Sequence, residues 1–361
     1  MVNDKDGEVV EGSSEPAPAA PPRRRARGGR GAPTIYDIAE LAGVNPSTVS
    51  RALSQPGRIN VKTEQRIHAA AKELKYHVNP IARALPTGRT NTLALLVADI
   101  TNPVLFGIVR GAERAAAAAG YTLVVAESQE SGDLEATAAR RVLPSVDGLL
   151  LATTRLDDTQ IQELASRKPV VVLNREVDEV DGVVPDVGAG VDETVAHLHD
   201  LGHRSIVYVS GPSTSWMSRR RWDALSESVV SRGMSLTEIG PNRPTLDAGV
   251  AAFARVRLSG ATAVVAFNDL MAIGLLREAT RNGVVLPDEL SIVGFDDIFG
   301  SDFTTPPLTT VRSPLEDAGE QAVRMLLSAV GAPGAAGAGV PQRALRTELV
   351  VRGSTAVPAR R

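Results

Sequence analysis

Between residues 45 and 51 the chain reads Asn-Pro-Ser-Thr-Val-Ser-Arg, which gathers an amide, three hydroxyls and a guanidinium into seven positions. Short hydroxyls allow close approach to a phosphate backbone, and an arginine can fork onto the O6 and N7 atoms of guanine. A second cluster, "HLHDLGH" at 197–203, invites a metal reading. Positions two apart point to different helix faces and no carboxylate completes a ligand set, so no metal is expected. There are no cysteines, no glycine-rich loop ending in Lys-Ser/Thr and no nucleophile elbow. Phosphoryl transfer and nucleophilic hydrolysis therefore lack their machinery, and the chain is expected to be no enzyme, with no catalytic residue and no cofactor.

The elements around residues 45–51 explain which of those side chains face outward. Thr34 can cap a helix with Asp37 in its first turn, and Ile35, Ile38, Leu41 and Ala42 fall at helical spacing until Gly43 stops the pattern. Asn45 is a good N-cap and Pro46 suits the first helical position, so a second helix starts two residues later. Its Val49, Ala52 and Leu53 turn inward, which leaves Pro46, Ser47, Ser50 and Arg51 on the other side. After "SQPGR", Asn60 caps a third helix with Ile67, Ala70, Ala71 and Leu74 as its apolar stripe. Two short helices around a glycine turn, covered by a third, make a helix-turn-helix bundle.

An ordinary capped surface helix would also account for Asn45 and Ser47, and charge weighs against it. From Arg23 to Thr90 there are 13 Lys/Arg against 4 Asp/Glu, in a chain whose total is −3. Segregation of this size points to a polyanion partner for the N-terminal part, most simply double-stranded DNA. A solubility tail explains Arg23–Arg30 but not the basic residues inside the helical pattern. Residues 1–32 are too poor in large apolar side chains to order and are expected to be a disordered tail with a basic end. No apolar signal segment and no run of membrane-span length occurs, so a soluble, cytoplasmic protein with no membrane partner is expected.

From residue 91 onward short apolar runs alternate with amphipathic helices. Residues 92–98, 121–126, 148–152, 169–174, 205–210, 261–267 and 290–295 read as buried parallel strands. Helices are expected at 104–119, 133–142, 187–201, 216–232 and 268–282. The fold class is thus an all-α helix-turn-helix headpiece plus an α/β core of two doubly wound parallel-sheet lobes, with a ligand site outside the carboxyl ends of the strands. The expected divisions are 33–78 for the headpiece, 79–90 for a hinge helix and linker, and 91–355 for the core. Within the core the N-lobe takes about 91–185 and 315–332, and the C-lobe about 186–312 and 340–355.

Eight blocks in order carry a resemblance: "TIYDIAELAGVNPSTVSRAL", "NPIARAL", "TGRTNTLALLV", "DITNP", "LGHRSIVYVSGP", "AFNDLMAIGLL", "VGFDDI" and "PPLTTVRSP". Along residues 33 to about 355 the sequence resembles the LacI/GalR family of bacterial transcription regulators. The resemblance implies a homodimeric regulator, most simply a repressor, reading a pseudopalindromic operator. It further implies a core similar to periplasmic sugar-binding proteins. By position, Pro46, Ser47 and Arg51 match base-reading residues, and Asn45, Thr48 and Ser50 match phosphate contacts. Pro46 departs from the pattern because it has no donor and offers only apolar contact. Leu85 matches a hinge leucine that wedges into the minor groove, with Ala82 and Arg83 beside it. Pro86 disfavours helical geometry in the residue before it, so the hinge helix is expected to end at Leu85 or sooner. Thr34, Tyr36, Arg58 and Asn60 complete the expected DNA-contacting set.

In the core the resemblance places Arg221, Asn268 and Asp296 in an effector cleft between the lobes. Trp216 is a candidate stacking face, and Asn174, Val104 and Leu105 stand at wall positions. Such a set suits a sugar-like effector: carboxylate and amide accept from hydroxyls, the guanidinium donates, and an aromatic face stacks on a ring. For each there is a plainer role, with Arg221 one of a solvated "RRR", Asp296 a turn cap and Trp216 a core residue. The dimer contact is expected on the apolar helix 270–279 with part of the helix around Ile108. The C-terminus "STAVPARR" has no heptad stripe, which argues against a coiled-coil tetramer. A solute-binding protein delivering sugar to a transporter shares the two-lobed core, and it is the rival from another class.

Overall fold

The computed structural model describes residues 33–54, 57–76, 88–332 and 345–359. Two compact units emerge, Met1–Asn79 and Pro80–Arg361. The expected hinge contacts Ala82, Arg83 and Leu85, together with Pro86 and the 1–32 tail, lie outside the described residues.

The first unit contains three helices, α1 (Ile35–Ala42), α2 (Pro46–Ser54) and α3 (Val61–Glu73). Local chemistry sets their ends. The backbone N–H and hydroxyl of Thr34 both donate to the Asp37 carboxylate at 2.7 Å. Gly43 closes α1 at φ 64°, a left-handed conformation that costs glycine little. The Asn45 carbonyl takes the first helical bonds of α2, from Thr48 and Val49, and Asn60 Oδ1 accepts from the Lys62 N–H at 3.0 Å to start α3. Ile38, Ala39, Ala42, Val49, Ala52, Ile67 and Ala70 form the buried core of this bundle. Leu41 corrects the sequence reading. It is 48% exposed, because the stripe at 38, 39 and 42 already faces the other helices and position 41 falls outside it.

The second unit holds two sheets. In the N-lobe, β1 (Thr92–Val97), β2 (Thr122–Glu127), β3 (Gly148–Ala152), β4 (Val170–Leu173) and β5 (Asp181–Val183) pair in the order β2-β1-β3-β4-β5, all parallel. The C-lobe sheet runs β11-β10-β9-β8-β6-β7. Its strands are β6 (Ser205–Val209), β7 (Ser235–Ile239), β8 (Ala263–Ala266), β9 (Ser291–Asp296), β10 (Thr309–Arg312) and β11 (Glu348–Val350). Only β11 is antiparallel to its neighbour. Helices between strands cover both faces, so β1, β3, β4, β8 and β9 are buried nearly throughout, which is why they read as continuous apolar runs.

Helix α4 (Val104–Ala118) packs on α11 (Leu315–Ala329), which returns to the N-lobe after β10 and buries Ala322, Val323 and Leu326 against β1 and β3 residues. The two backbones nearly touch, and a Cβ at Gly111 would stand 1.9 Å from the Glu316 carbonyl oxygen. Helix α10 (Asp269–Arg281), part of the expected dimer contact, buries Met271, Ala272, Leu275 and Leu276 in the C-lobe core of its own chain, against residues of α9 (Leu246–Leu258), while Leu270 and Ile273 stay partly exposed.

Candidate functional site

On α2 the inward residues Val49 and Ala52 are fully buried, whereas Asn45, Ser47, Ser50 and Arg51 are exposed and Pro46 and Thr48 half-buried. The amphipathic pattern thus turns one hydroxyl-and-guanidinium face away from the bundle. Tyr36 and Arg58 are also exposed. Thr34 is half-buried and tied to Asp37, and the Asn60 amide oxygen is engaged as a helix cap. Both therefore have structural work before any ligand arrives.

The core's polar candidates meet elsewhere. A cleft enclosing about 620 Å³ of non-atom space, part of it open to solvent, is lined by Val104, Leu105, Asn174, Trp216, Arg221, Asn268 and Asp296. All seven core residues singled out in the sequence line this one cavity. The lining comes from the carboxyl ends of strands in both lobes, where parallel sheets leave loops free to carry side chains. Four of those loop residues hold left-handed backbone without being glycine: Glu130 (φ 60°), Thr153 (φ 55°), Asn174 (φ 62°) and Asp296 (φ 105°). Such conformations are uncommon and gather where geometry serves a ligand.

Arg221, on α8 (Trp216–Ser231), and Asp296, at the end of β9, form the buried centre of the C-lobe wall. Arg221 Nη2 donates to Asp296 Oδ1 at 2.8 Å, and both side chains are under 10% exposed. Arg221 Nη1 donates to the Phe267 carbonyl, and its guanidinium lies 3.6 Å from the Phe295 ring centroid and 4.8 Å from that of Phe267. Burial pushes the Asp296 carboxyl up from its ordinary range, and the adjacent Arg221 opposes that shift. Leaving either partner alone in such a place costs about 3–5 kcal/mol, so the pair stands or falls together.

Asn268 caps α10. Its Oδ1 accepts from the Met271 N–H at 3.0 Å and its Nδ2 donates to the Pro244 carbonyl at 3.1 Å, so both ends of the amide are engaged. Trp216 is half-buried, with the Arg220 guanidinium 5.4 Å from its ring centroid.

Sequence reasoning found Val104, Leu105 and Asn174 on the N-lobe wall but missed its charged residues. Asp99, Glu130, Arg155 and Arg175 also line the cleft. Arg155 binds Glu130 at 2.7 Å, and its backbone N–H donates to buried Glu135 at 2.7 Å. These residues sit in loops between elements, where no periodicity marks them. Asp269 was missed as well. Fully buried at the start of α10, it accepts from Ile298 N–H at 2.8 Å and Thr310 Oγ1 at 2.5 Å, and burial raises its carboxyl to about 8. It pins the loop that follows Asp296.

The histidines of 197–203 do other work. His203 is buried against Thr262, Ser291 and the Ala356 carbonyl, while His197 meets Thr355, so both fasten the C-terminal segment. Among the described residues no cluster of three or more His, Asp or Glu is placed to hold a metal ion.

Residues 34–79 match the family model of bacterial regulatory proteins, lacI family, and residues 195–355 match the periplasmic binding protein-like domain. The HTH-type transcriptional repressor CytR of Escherichia coli (strain K12) is 31% identical over 332 residues, which cover 90% of this chain and 96% of CytR. This chain belongs to the lacI family of bacterial regulatory proteins. The Lac repressor dimer bound to operator and the anti-inducer ONPF superposes with a TM-score of 0.79 at 26% identity, covering 90% of this chain and 100% of that one. A transcriptional regulator CelR–cellobiose complex gives a TM-score of 0.64 at 28% identity, covering 89% and 99%. As a lacI-family member the chain is a DNA-binding transcription regulator and not an enzyme, and the solute-binding alternative falls because the match spans the helix-turn-helix as well as the core. Among the described residues no helix is long and apolar enough to cross a membrane.

Proposed function

We propose that this chain is a cytoplasmic, homodimeric repressor whose operator affinity is set by a small polar metabolite, sugar-like in its hydroxyl content, bound between the core lobes. The observation that carries the reading is the cleft itself. Residues separated by up to 192 positions in sequence, from Val104 to Asp296, converge on one cavity around a buried Arg221–Asp296 pair. The same chain turns Ser47, Ser50 and Arg51 outward on α2, where Arg51 and Ser47 read bases and Asn45, Thr48 and Ser50 meet phosphates. Relatives support each half: CytR is a repressor, the Lac repressor structure is a dimer on operator, and CelR holds cellobiose. A coupling of about 1–3 kcal/mol between cleft and operator suffices for regulation.

The dimer contact draws on the partly exposed Leu270 and Ile273 of α10 and on a groove beside α4. Phe106 on α4 is 51% exposed, Phe299 77% and Phe303 69%, and Phe106 and Phe299 border one groove. Phe303 packs edge-on against Phe299. Exposed aromatics in one groove fit the apolar centre of a subunit interface.

Gel retardation of the DNA upstream of the protein's own gene tests the reading. The wild type should retard it in preference to a scrambled duplex. Arg51→Ala should retain residual salt-sensitive binding while losing about 1–3 kcal/mol of discrimination between the two. Equal retardation of both duplexes by the wild type, or intact discrimination in the variant, would overturn the role given to α2.

A further inference from the structure

On the reading of the cleft as the effector site, on which this rests, we infer that Asp269 is a positioning residue of the regulatory response. Its one buried carboxyl clips together the two C-lobe segments that run from the cleft to the N-lobe core, so that a change in the cleft reaches the joint between the lobes. In the first segment Asn268 lines the cleft, and Leu270, two residues on, packs against the N-lobe core. In the second Asp296 lines the cleft, and Ile298, two residues on, is a buried member of that same N-lobe core. Ile273, three residues further along α10, packs against the cores of both lobes. Each segment thus passes from a cleft residue to an apolar side chain seated on the other lobe within three positions.

Asp269 ties the two together. Its Oδ2 accepts from the Ile298 N–H at 2.8 Å and its Oδ1 from Thr310 Oγ1 of β10 at 2.5 Å. Oδ1 also rests on the backbone of β9, where a Cβ at Gly294 would stand 2.0 Å away. An aspartate at the first position of a helix commonly complements the helix dipole from the solvent side. Here it is turned inward and fully buried, at a cost that its hydrogen bonds to β10 and to the Ile298 loop offset. Asp297 secures the other side of the same loop, accepting from Arg352 Nη2 at 2.6 Å, Arg312 Nε at 2.8 Å and Ser301 Oγ at 2.9 Å.

The strength of the clip depends on a proton. Burial raises the Asp269 carboxyl to about 8, with Asp296 and Asp297 adding to the rise and the Thr310 and Ile298 donors opposing it. The charged groups that face it are those two aspartates, Asp296 paired with Arg221 of α8, and Asp297 paired with Arg312 of β10 and Arg352 of the C-terminal segment. The arginines keep their charge throughout. An ionised Asp269 holds the Ile298 N–H by a charge-assisted bond and a neutral one holds it more weakly. The Thr310 hydroxyl accommodates both states, because it accepts a proton as readily as it donates one.

Operator affinity of the full chain, followed by fluorescence anisotropy from pH 7 to pH 9 at fixed ionic strength, tests this without any ligand. The duplex is the DNA upstream of the protein's own gene, with a scrambled duplex as control. Wild-type affinity should change by at least about fivefold over this range, the lower end for coupled sites. Asp269→Asn, neutral throughout, should stay within about twofold. Thr310→Val removes a donor to the carboxylate and should move the midpoint to higher pH, whereas Asp296→Asn removes a negative charge from the cleft wall and should move it to lower pH. Ile298→Ala keeps the N–H but cuts the apolar contact with the N-lobe, so its affinity should stay in the same band as that of Asp269→Asn. A merely structural aspartate would change stability with pH and leave the operator affinity of the folded chain alone. Circular dichroism and melting at each pH confirm that the variants are folded. Coincident profiles for the wild type and Asp269→Asn overturn the role given to Asp269, as do midpoints unmoved in Thr310→Val and Asp296→Asn or a full-sized change in Ile298→Ala. Preference for the operator over the scrambled duplex would then still stand, and the functional reading with it. A wild type that fails to distinguish the two duplexes at every pH brings down the functional reading and the clip together.

Discussion

In the headpiece the side chains proposed to read DNA stand on one short helix, whereas in the core the side chains that line the cleft come from segments spread between residues 98 and 296 that meet only after folding. The supports differ in the same way. Caps made by neighbours three or fewer positions away, Thr34 with Asp37 and Asn60 with Lys62, fix the helices of the small bundle. The lobes instead depend on parallel strand ladders and on helix backbones in direct contact, as at Gly111 and Glu316. A locally encoded surface tolerates changes elsewhere in the chain, while a cleft assembled from distant segments inherits every disturbance of its scaffold.

The largest effect should therefore come from a single methyl group far from any ligand. In Gly111→Ala the new Cβ would lie 1.9 Å from the Glu316 carbonyl oxygen, on the backbone of α11, and neither helix can yield without disturbing the N-lobe core. Overpacking of this kind costs about 3 kcal/mol. Both tryptophans, Trp216 and Trp222, lie in the core, so tryptophan fluorescence during urea unfolding reports that unit selectively. The midpoint followed by fluorescence should fall clearly, while the headpiece helices, followed by amide resonances, hold their own midpoint. A common shift in both signals would mean that the units unfold as one.

A smaller and opposite contrast comes from Asn60→Ala. It removes the oxygen that caps α3 and should cost the headpiece about 1 kcal/mol, with tryptophan fluorescence unmoved. Helical amide exchange near residues 61–64 is the sensitive readout. No acceleration there would show that the third helix is held by Ile67 and Ala70 alone.

How much of this was legible follows from the same division. The headpiece was readable because each stop and start is local: Gly43, Asn45 and Asn60 mark ends, and a period of 3.6 marks the inward face. Even there Leu41 was misplaced, since a three-helix contact is narrower than the stripe that spacing suggests. In the core, buried strands such as β3 announced themselves by composition, but β5, β7, β10 and β11 did not, being three to five residues long or polar and on a sheet edge. The cleft was traced through the family resemblance, which supplied Arg221 and Asp296. Glu130 and Arg155 carry no spacing signal, because 25 residues separate them and their backbone geometry is invisible in the letters. The apolar stripe of α10 is ambiguous for a related reason: sequence shows that a face must be covered, not whether its own chain or a second one covers it, and Leu270 and Ile273 are left partly exposed by their own chain.

The smallest effect is a slope, and it tests whether the core alone answers to acid. His203 is buried among Thr262, Ser291 and the Ala356 carbonyl, and burial lowers its affinity for a proton, with His197 and Arg204 acting in the same direction and the carbonyl opposing. His197, half-buried against Thr355, is lowered by burial as well, with Asp200 opposing. For a histidine whose folded pKa lies below the unfolded value of about 6.5, the unfolded chain binds more protons. The stabilising contribution is therefore complete above about pH 6.5 and is lost as pH falls from there through the folded value. Over pH 7.5 to 5.5 the histidines should pull the core's urea midpoint, followed by tryptophan fluorescence, downward, against the opposite pull of Asp269, whose carboxyl, raised to about 8, is protonated in the fold and stabilises it as pH falls. The headpiece has no buried histidine among its described residues, so its midpoint should move less. His203→Gln keeps polar atoms for the C-terminal segment but cannot take the charge, and it should flatten the acid slope at some cost in stability at pH 7.5. A slope left as steep in His203→Gln would assign the acid sensitivity to His197 instead, since the Asp269 carboxyl, raised to about 8, acts with the opposite sign.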